Sequence, residues 1–144
     1  MSPIHFQQGN NLYIGKNFSC GYNFVVLDHA KVCIGDNVMI APNVTISSAA
    51  HPKIAEQRIV SLFDNVFEPY GKGEIEIISP VATGDNVWIA SGAIICPGVM
   101  IGDNSSIGAG SVVTKDMPPN VFACGVPAKV IRSITQEDRI EIDL

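Results

Sequence analysis

Several features that would mark a membrane, secreted or nucleic-acid-binding protein are missing from this chain of 144 residues. It has no apolar run of about 18 residues, so no membrane span is expected. The N-terminal MSPIHFQQGN lacks a basic segment followed by an apolar one, which argues against a signal peptide. The formal net charge of -5 argues against a broad nucleic-acid surface. A cytoplasmic globular protein is therefore expected.

Cysteine is also scarce and dispersed. The chain has 4 cysteines and no CxxC pair, so reduced structural thiols are expected rather than a disulfide framework. These residues are Cys20, Cys33, Cys96 and Cys124. The hydrophobic fraction of 47% and the charged fraction of 16% are typical of a folded domain. A single domain over residues 1–144 is the simplest expectation for this length.

The dominant feature that is present is a six-residue repeat in Thr83–Val113. Aliphatic side chains recur there every sixth residue, and a small residue follows nearly every one of them. Glycine or asparagine recurs at the fourth place, and a second run over Ile34–His51 keeps the same phase. The repeated aliphatic positions are Ile89, Ile95, Ile101, Ile107 and Val113.

This repeat predicts an all-β, parallel β-helix. Each six residues would form a short strand and a turn, with the aliphatic side chain pointing inward and glycine or asparagine tolerating the tight corner. A helical period of 3.6 does not fit the spacing. A β-sandwich with many short turns is the alternative, but a sandwich does not need the constant phase.

Two irregularities interrupt the repeat. Two extra residues within Asp28–Lys31 predict a bulged corner, from which Asp28 and His29 project at an edge of the prism. The repeat stops again at His51 and resumes at Thr83, which leaves an inserted loop over about 52–82. Such insertions are usually functional or disordered, and the aromatic content of this one argues against disorder. Its aromatic side chains are Phe63, Phe67 and Tyr70.

The ends of the repeat region are less regular. Residues 1–11 show no pattern, so the repeats are expected to begin at Leu12 or Ile14. Pro118 and Pro119 predict the end of the prism and the start of a C-terminal segment over about 117–144. Short strands are further expected at Glu74–Ile78, Val121–Ala123 and Lys129–Ile131.

Three segments resemble the hexapeptide-repeat acyltransferases. They read IGDNVMIAPNVTISSAAHP, GDNVWIASGAIICPGVMIGDNSSIGAGSVVTKDMPPNVF and GVPAKVIR. The nearest branch contains the maltose and galactoside O-acetyltransferases and the nodulation sugar acetyltransferases. The resemblance covers about Ile14–Ser133 apart from the insertion, and its second segment is highly specific.

The resemblance implies a left-handed β-helix, an exception to the usual right-handed crossover. It also implies a homotrimer in which acetyl-CoA lies between adjacent prisms, with His51 of the SSAAHP segment as the catalytic base. The outward Met39, Ile94 and Met100 are expected to supply an apolar seam between subunits. The residues that the resemblance assigns to acetyl-CoA are Trp88, Ser91, Ala109, Thr114, Lys115, Lys129 and Arg132.

The acceptor site of the resembled branch maps onto Gly21, Asp28, His29 and Trp88, with departures. An acceptor-binding asparagine of the branch appears here as Gly21, and a carboxylate appears as His29 with Asp28 adjacent. The loop after His51 is longer, and the N-terminal helical segment of the branch is absent from this sequence. A larger acceptor is therefore favoured, such as a surface-polysaccharide precursor or a nucleotide-linked sugar.

The expected activity is acetyl transfer from acetyl-CoA to a hydroxyl of a sugar-containing acceptor. The pKa of histidine suits a general base near neutral pH, so His51 would activate the hydroxyl for direct attack. One alternative is an N-acetyltransferase for an amino-sugar nucleotide, and another is a non-catalytic trimeric scaffold. A zinc site of the carbonic anhydrase kind needs three histidines, two of them close in sequence, and no metal is expected because His5, His29 and His51 are far apart.

Overall fold

The computed structural model of the chain describes residues 4–58 and 76–142. In chain order the strands are β1 (Ile4–Phe6), β2 (Leu12–Ile14), β3 (Ser19–Cys20), β4 (Phe24–Leu27), β5 (Val32–Ile34), β6 (Met39–Ile40), β7 (Thr45–Ser47), β8 (Ala49–Ala50), β9 (Ile77–Ile78), β10 (Val81–Thr83), β11 (Trp88–Ile89), β12 (Ile94–Ile95), β13 (Met100–Ile101), β14 (Ser106–Ile107), β15 (Val112–Val113), β16 (Val121–Gly125) and β17 (Ala128–Ser133). A short helix α1 (Ala55–Arg58) follows β8, and a 3-10 helix (Gln136–Asp138) follows β17.

Three sheets form the walls of a prism. Sheet A has the order β1-β4-β7-β12-β15, sheet B the order β13-β10-β5-β2, and sheet C the order β17-β16-β14-β11-β6-β3. The strands within each sheet pair in parallel, except β17, which pairs antiparallel with β16. The chain visits sheets A, B and C in turn, and each of the five strands of sheet A begins a new coil. This is the left-handed parallel β-helix that the sequence predicts.

The aliphatic residues that recur every sixth position fill the core, as predicted. Their exposure is between 0% and 2%. Burying such a side chain contributes about 1.5–3 kcal/mol relative to leaving it in water. Thr83 occupies the same kind of inward position, in register with both Ile34 and Ile101. Its hydroxyl oxygen accepts a hydrogen bond from the Gly35 N–H at 3.3 Å, which satisfies a polar group at the core boundary.

Asparagine forms the corner between sheets B and C. In each coil one asparagine has a φ of 53° to 60°, the left-handed conformation that asparagine tolerates better than most residues. Each of the first four side chains donates from Nδ2 to Oδ1 of the asparagine in the next coil at 2.9 or 3.0 Å. The asparagine ladder consists of Asn17, Asn37, Asn86, Asn104 and Asn120. The predicted role of asparagine at tight corners is therefore confirmed.

The first coil begins earlier than the sequence suggests. β1 pairs with β4 in register, Ile4 opposite Phe24, so residues 4–6 belong to the prism although residues 1–11 show no repeat. The outermost coil packs against a neighbour on one side only, and Phe6 is exposed. Fewer of its positions therefore have to be aliphatic, which explains the missing pattern.

The prism also extends beyond Pro118 and Pro119. β16 pairs in parallel with β14, Ser106 opposite Phe122, so the prism continues past the two prolines. The last coil is shorter on the AB edge, because Val113 and Met117 pair with Ile95 and Ile101. Asn104 and Asn120 are 16 residues apart, whereas Asn86 and Asn104 are 18 apart. Both predicted C-terminal strands are present, within β16 and β17.

The inserted loop leaves sheet A after β7 and returns to sheet B at β10. Its two arms meet at the base, where β8 pairs antiparallel with β9, Ala50 opposite Ile77. The strand expected over Glu74–Ile78 is present as Ile77–Ile78. The aromatic residues Phe63, Phe67 and Tyr70 lie outside the described residues.

The outward apolar residues do not form one seam. Met39, Ile94 and Met100 are all exposed, as expected, but they lie on sheets C, A and B respectively. Residues six apart occupy successive faces of the prism, so Ile94 and Met100 point in different directions. A single apolar strip made of these three side chains is therefore ruled out.

The four cysteines are free thiols with intermediate exposure. Burial raises the pKa of the Cys20 and Cys96 thiols, which disfavours the reactive thiolate. Across residues 4–58 and 76–142, no helix is long and apolar enough to span a membrane.

The ladder predicts a difference between two substitutions of Asn86. Both Asn86→Ala and Asn86→Gly remove the side-chain bonds to Asn37 and Asn104. Both residues must adopt the positive φ of 58°, which costs about 1–2 kcal/mol for alanine but little for glycine, which has no Cβ. Urea unfolding should therefore show Asn86→Ala less stable than Asn86→Gly by about that amount. Equal losses would mean that the corner conformation is not strained for alanine.

Candidate active site

The predicted site residues lie on different edges of the prism. We call the edges AB, BC and CA after the sheets that they join. The AB edge follows the strands of sheet A and carries the inserted loop, the BC edge carries the asparagine ladder, and the CA edge leads from sheet C back to sheet A. Sheet A separates the AB edge from the CA edge, and its four-residue strand β4 spans about 13 Å.

His51 lies on the AB edge, one residue beyond the paired residue Ala50. It is exposed, whereas the next residue, Pro52, is buried. The α1 residue Arg58 donates from Nη1 to the carbonyl oxygens of Pro52 and Lys53, both at 2.8 Å. These bonds hold the backbone on the C-terminal side of His51.

A serine pair fixes the backbone on the other side of His51. The Ser48 hydroxyl donates to the Leu27 carbonyl and accepts from the Ala30 N–H, both at 2.8 Å. The Ser47 hydroxyl donates to the Ala49 carbonyl at 2.8 Å. The short strand that presents His51 is thus tied to the coil beneath it.

A groove of about 610 Å³ opens beside His51. The apolar residues Ile54 and Ile77 are exposed on its walls. Among the described residues its lining is Ala50, His51, Pro52, Lys53, Ile54, Gln57 and Ile77. Exposed apolar faces next to an imidazole suit a ligand that presents both an apolar surface and a polar group to be deprotonated.

Asp28 was expected to project from the AB edge, and this expectation is wrong. It is 0% exposed, and its carboxylate accepts the backbone N–H groups of Gln8 at 2.8 Å, Gly9 at 2.7 Å and Asn11 at 3.3 Å. Burial disfavours the carboxylate, but these hydrogen bonds outweigh it, and the pKa of Asp28 lies below its ordinary value. Asp28 therefore joins the first coil to the second and is not available to an acceptor.

His29, the neighbour of Asp28, is placed differently. Its Nε2 lies 3.6 Å from Oε1 of Glu76, the residue before β9. Its Nδ1 is buried and has no hydrogen-bond partner among the residues that the structure describes. His29 thus lies at the base of the insertion that presents His51, but its side chain is only 13% exposed and does not project as expected. Its acceptor role stays a prediction.

The CA edge carries Gly21, Ser91 and Ala109. Register along sheet C aligns Gly21 with Ala90 and Gly108, so Ser91 and Ala109 occupy equivalent places in successive coils. Both are exposed. Among the described residues, none bonds to the N–H of Ser91 or to the N–H and carbonyl of Ala109. These backbone groups are therefore open to a ligand.

Pro42 leaves no room for a side chain at position 21. A Cβ at this position would lie 2.5 Å from the Pro42 backbone nitrogen, which no side chain can tolerate without a shift. The Gly21 N–H donates to the Ile40 carbonyl at 2.7 Å. The absence of a side chain at position 21 is thus enforced by packing on Pro42.

As the sixth residue of its repeat, Trp88 is expected at an exposed corner, but it lies on the flat face of sheet C. It stands between Met39 and Ser106 in the outward row of the sheet and is 47% exposed. A groove of about 360 Å³ runs over this face. Its lining residues are Trp88, Ser106, Phe122, Arg132, Ile134 and Asp138. The expected exposed ring is present.

The four remaining residues assigned to acetyl-CoA fall in two places. Thr114 and Lys115 are exposed on the AB edge after β15, and Lys129 and Arg132 are exposed on β17. Arg132 forms a bidentate ion pair with the carboxylate of Asp138, a residue that the sequence did not single out. In the sequence, the spacing of six residues between Arg132 and Asp138 does not indicate whether the two side chains form an ion pair or are solvated separately.

The predicted site residues therefore fall into two separate groups on one chain. His51, His29, Thr114 and Lys115 lie on the AB edge, whereas the CA edge and sheet C carry the others. Sheet A separates these two groups within one chain. The second group consists of Gly21, Trp88, Ser91, Ala109, Lys129 and Arg132.

Known proteins are similar to this chain in sequence and in fold. A family model described as bacterial transferase hexapeptide (six repeats) matches residues 80–115. The chain is 49% identical over 137 residues to galactoside O-acetyltransferase of Escherichia coli (strain K12), with 95% of this chain and 61% of the relative covered. A solved galactoside acetyltransferase in complex with coenzyme A has a TM-score of 0.85 at 48% identity, covering 96% of this chain and 63% of that one.

A hexapeptide-repeat containing acetyltransferase from Vibrio cholerae has a TM-score of 0.81 at 32% identity, covering 94% of this chain and 70% of that one. The fold is thus the left-handed β-helix of a class of acetyltransferases. The chain belongs to the hexapeptide-repeat acyltransferase family, which confirms the resemblance found in its sequence. It spans about three fifths of the length of the curated relatives that it matches.

The buried carboxylate of Asp28 predicts a pH-dependent contribution to stability. Because its pKa is lowered on folding, the contribution is present above the unfolded pKa of about 3.9 and is lost as pH falls through the folded value. Asp28→Asn should lower the free energy of unfolding at pH 7 by about 2–4 kcal/mol, since the charge is lost and an NH2 group that cannot accept replaces one of the two acceptor oxygens.

Urea unfolding between pH 3 and pH 7 measures this effect. Asp36→Asn is the matched control, because Asp36 is partly exposed and accepts one backbone N–H, from Lys16. The gap between wild type and Asp28→Asn should narrow as pH falls below about 4. A gap that stays constant with pH would show that the charge of Asp28 does not contribute.

Proposed function

We propose that the protein is an acetyl-CoA-dependent O-acetyltransferase that acts on a hydroxyl of a sugar-containing acceptor, at sites between the subunits of a homotrimer. The observation that carries the proposal is the division of the site between two edges of the prism. His51 lies on the AB edge, and the open backbone groups of Ala109 lie on the CA edge. A neighbouring chain brings one edge against the other.

The residues present fit acetyl-CoA. Its pantetheine arm carries amides, and the N–H and carbonyl of Ala109 supply a donor and an acceptor for one of them. The small residues on the CA edge leave room for a narrow chain to lie along it. The exposed cations Lys115 and Lys129 can form charge-assisted bonds with phosphate oxygens. The bound donor supplies an activated acetyl thioester.

In the proposed mechanism His51 is the general base. Its imidazole accepts the proton of the acceptor hydroxyl while the hydroxyl oxygen forms a bond to the acetyl carbon. The carbon–sulfur bond breaks, and the proton returns from His51 to the departing thiolate. Ser91 offers an exposed N–H and a hydroxyl that can stabilise negative charge on the acetyl oxygen. No side chain of the protein becomes acylated.

The acceptor is proposed to lie in the groove beside His51. Ile54 and Ile77 provide apolar surface for the face of a sugar ring, and the same groove leads to the insertion. Asp28 is removed from the acceptor site by its burial, and Gly21 can contribute only its backbone. His29 remains the acceptor contact on this edge, beside Glu76.

Replacing the base tests the mechanism directly. His51→Ala should lower kcat by about 10²–10⁴-fold and leave the affinity for acetyl-CoA unchanged, since the imidazole acts on the acceptor. Turnover is read from free thiol release across mono-, oligo- and nucleotide-linked sugars, and affinity from calorimetry. The matched control is His5→Ala, which removes an exposed histidine on β1.

Three results would contradict the proposal. If His51→Ala keeps more than about a tenth of the activity, another residue is the base. If wild type does not bind acetyl-CoA, a non-catalytic scaffold replaces the enzyme. If only amino sugars are acetylated, at nitrogen, the acceptor class is wrong.

Mixing two inactive variants tests the shared site. His51→Ala disables the AB edge, and Ala109→Trp fills the CA edge with an exposed ring. Subunits of both variants, combined by co-refolding at equal amounts, should recover about a quarter of wild-type activity, because each interface needs one chain of each kind in the right order. Light scattering of each variant alone checks that it still assembles. Trimers with no recovered activity would place the whole site within one chain.

A further inference from the structure

The guanidinium of Arg132 has most of its donors engaged. Nη1 donates to Asp138 Oδ2 at 2.8 Å and to the Ser133 carbonyl at 3.1 Å, and Nη2 donates to Asp138 Oδ1 at 2.5 Å. Arginine has five N–H groups in a planar fork. Both hydrogens on Nη1 and one on Nη2 are therefore used, which consumes the terminal edge of the group.

The remaining donors of Arg132 lie side by side. The Nε hydrogen and the second Nη2 hydrogen point from the same edge of the plane, and no residue in the described part of the chain bonds to them. Two parallel N–H groups match two oxygens of a phosphate. The side chain is 53% exposed and lines the groove beside Trp88 and Phe122, so this edge is open to a ligand.

Asp138 is itself held in place. Its Oδ2 also accepts the backbone N–H of Thr135 at 2.9 Å, and its own N–H donates to the Thr135 carbonyl at 3.0 Å. The first of these bonds is one half of the capping box of the 3-10 helix, and in the other half the Thr135 side chain accepts a backbone N–H. The hydrogen bonds from Arg132, and then from Thr135, lower the pKa of Asp138 to about 2, so the carboxylate stays ionised at neutral pH.

We propose that Asp138 is a positioning residue, which holds the terminal edge of Arg132 so that the Nε–Nη2 edge binds one phosphate group of coenzyme A. The inference rests on the proposed function. It specifies which edge of Arg132 contacts the anion on sheet C and which residue orients that edge.

Two other roles for Asp138 fit the contacts less well. An exposed ion pair contributes little to stability, because water screens both charges. A carboxylate that competed with phosphate would have to occupy the edge that the phosphate needs. Asp138 occupies the opposite edge, so a phosphate can bind without displacing it.

Calorimetry with Asp138→Asn tests the role. The asparagine oxygen can still accept the Thr135 N–H, but the bidentate bond to Arg132 is lost. Affinity for coenzyme A at fixed salt should fall about three- to tenfold, the penalty of ordering a free arginine side chain on binding. Glu137→Gln is the matched control, because it removes the same charge from the same 3-10 helix without touching Arg132, and its affinity should not fall.

The same titrations with 3′-dephospho-coenzyme A identify the phosphate. If Arg132 binds the 3′-phosphate, Asp138→Asn should weaken coenzyme A and leave the dephospho form unchanged. If Arg132 binds the diphosphate, both ligands should weaken equally. In an Arg132→Lys background the effect of Asp138→Asn should disappear, because lysine has no second edge to orient. A general structural role would persist in that background.

The outcomes separate this inference from the function on which it rests. If wild type binds no coenzyme A, the proposed function fails and the inference falls with it. If wild type binds but Asp138→Asn binds equally or more tightly, the positioning role alone is overturned. Persistence of the effect in Arg132→Lys overturns it as well.

Discussion

The fold depends on stacking each coil in register on the one before it. Parallel pairing aligns equivalent residues of successive coils. An insertion or deletion in one coil must therefore be accommodated at a corner, or every later coil would have to contain it too. The asparagine ladder shows how strictly the corner is kept, since each member has nearly the same φ and the same bond to the next. Extra residues are admitted only on the AB edge, where the two-residue bulge and the long insertion occur.

The repeat reveals those parts of the fold that depend on neighbours above and below. Ile89 and Ile107 could be placed in the core from spacing alone, because each stacks on an equivalent residue. β1 could not, since the outermost coil has a partner on one side. The burial of Asp28 was missed for the same reason: its hydrogen-bond donors, Gln8 and Gly9, belong to that unrecognised coil.

The site was harder to predict than the fold, because residue types suggest chemistry but not direction. Residues six apart lie on successive faces, and only those one full coil apart share a face, as Trp88 and Ser106 do. That rule separates Ile94 from Met100, and it could have been applied to the sequence. The pairing of Arg132 with Asp138 could not, since it depends on how the chain turns after β17.

A β-helix satisfies nearly all of its backbone polar groups by pairing one coil with the next, and buried groups must be paired somewhere. Ligand contacts to the backbone can therefore arise only where the ladder is incomplete. The carbonyl of Ser91 accepts a bond from Gly110 in the following coil, whereas after β16 the chain turns back into β17 and no described residue donates to the carbonyl of Ala109. The N–H is open at both Ser91 and Ala109, so only the open carbonyl follows from the end of the ladder. The same reasoning applies to His51, which stands where the chain leaves the ladder, so both halves of the proposed site lie at interruptions of the repeat.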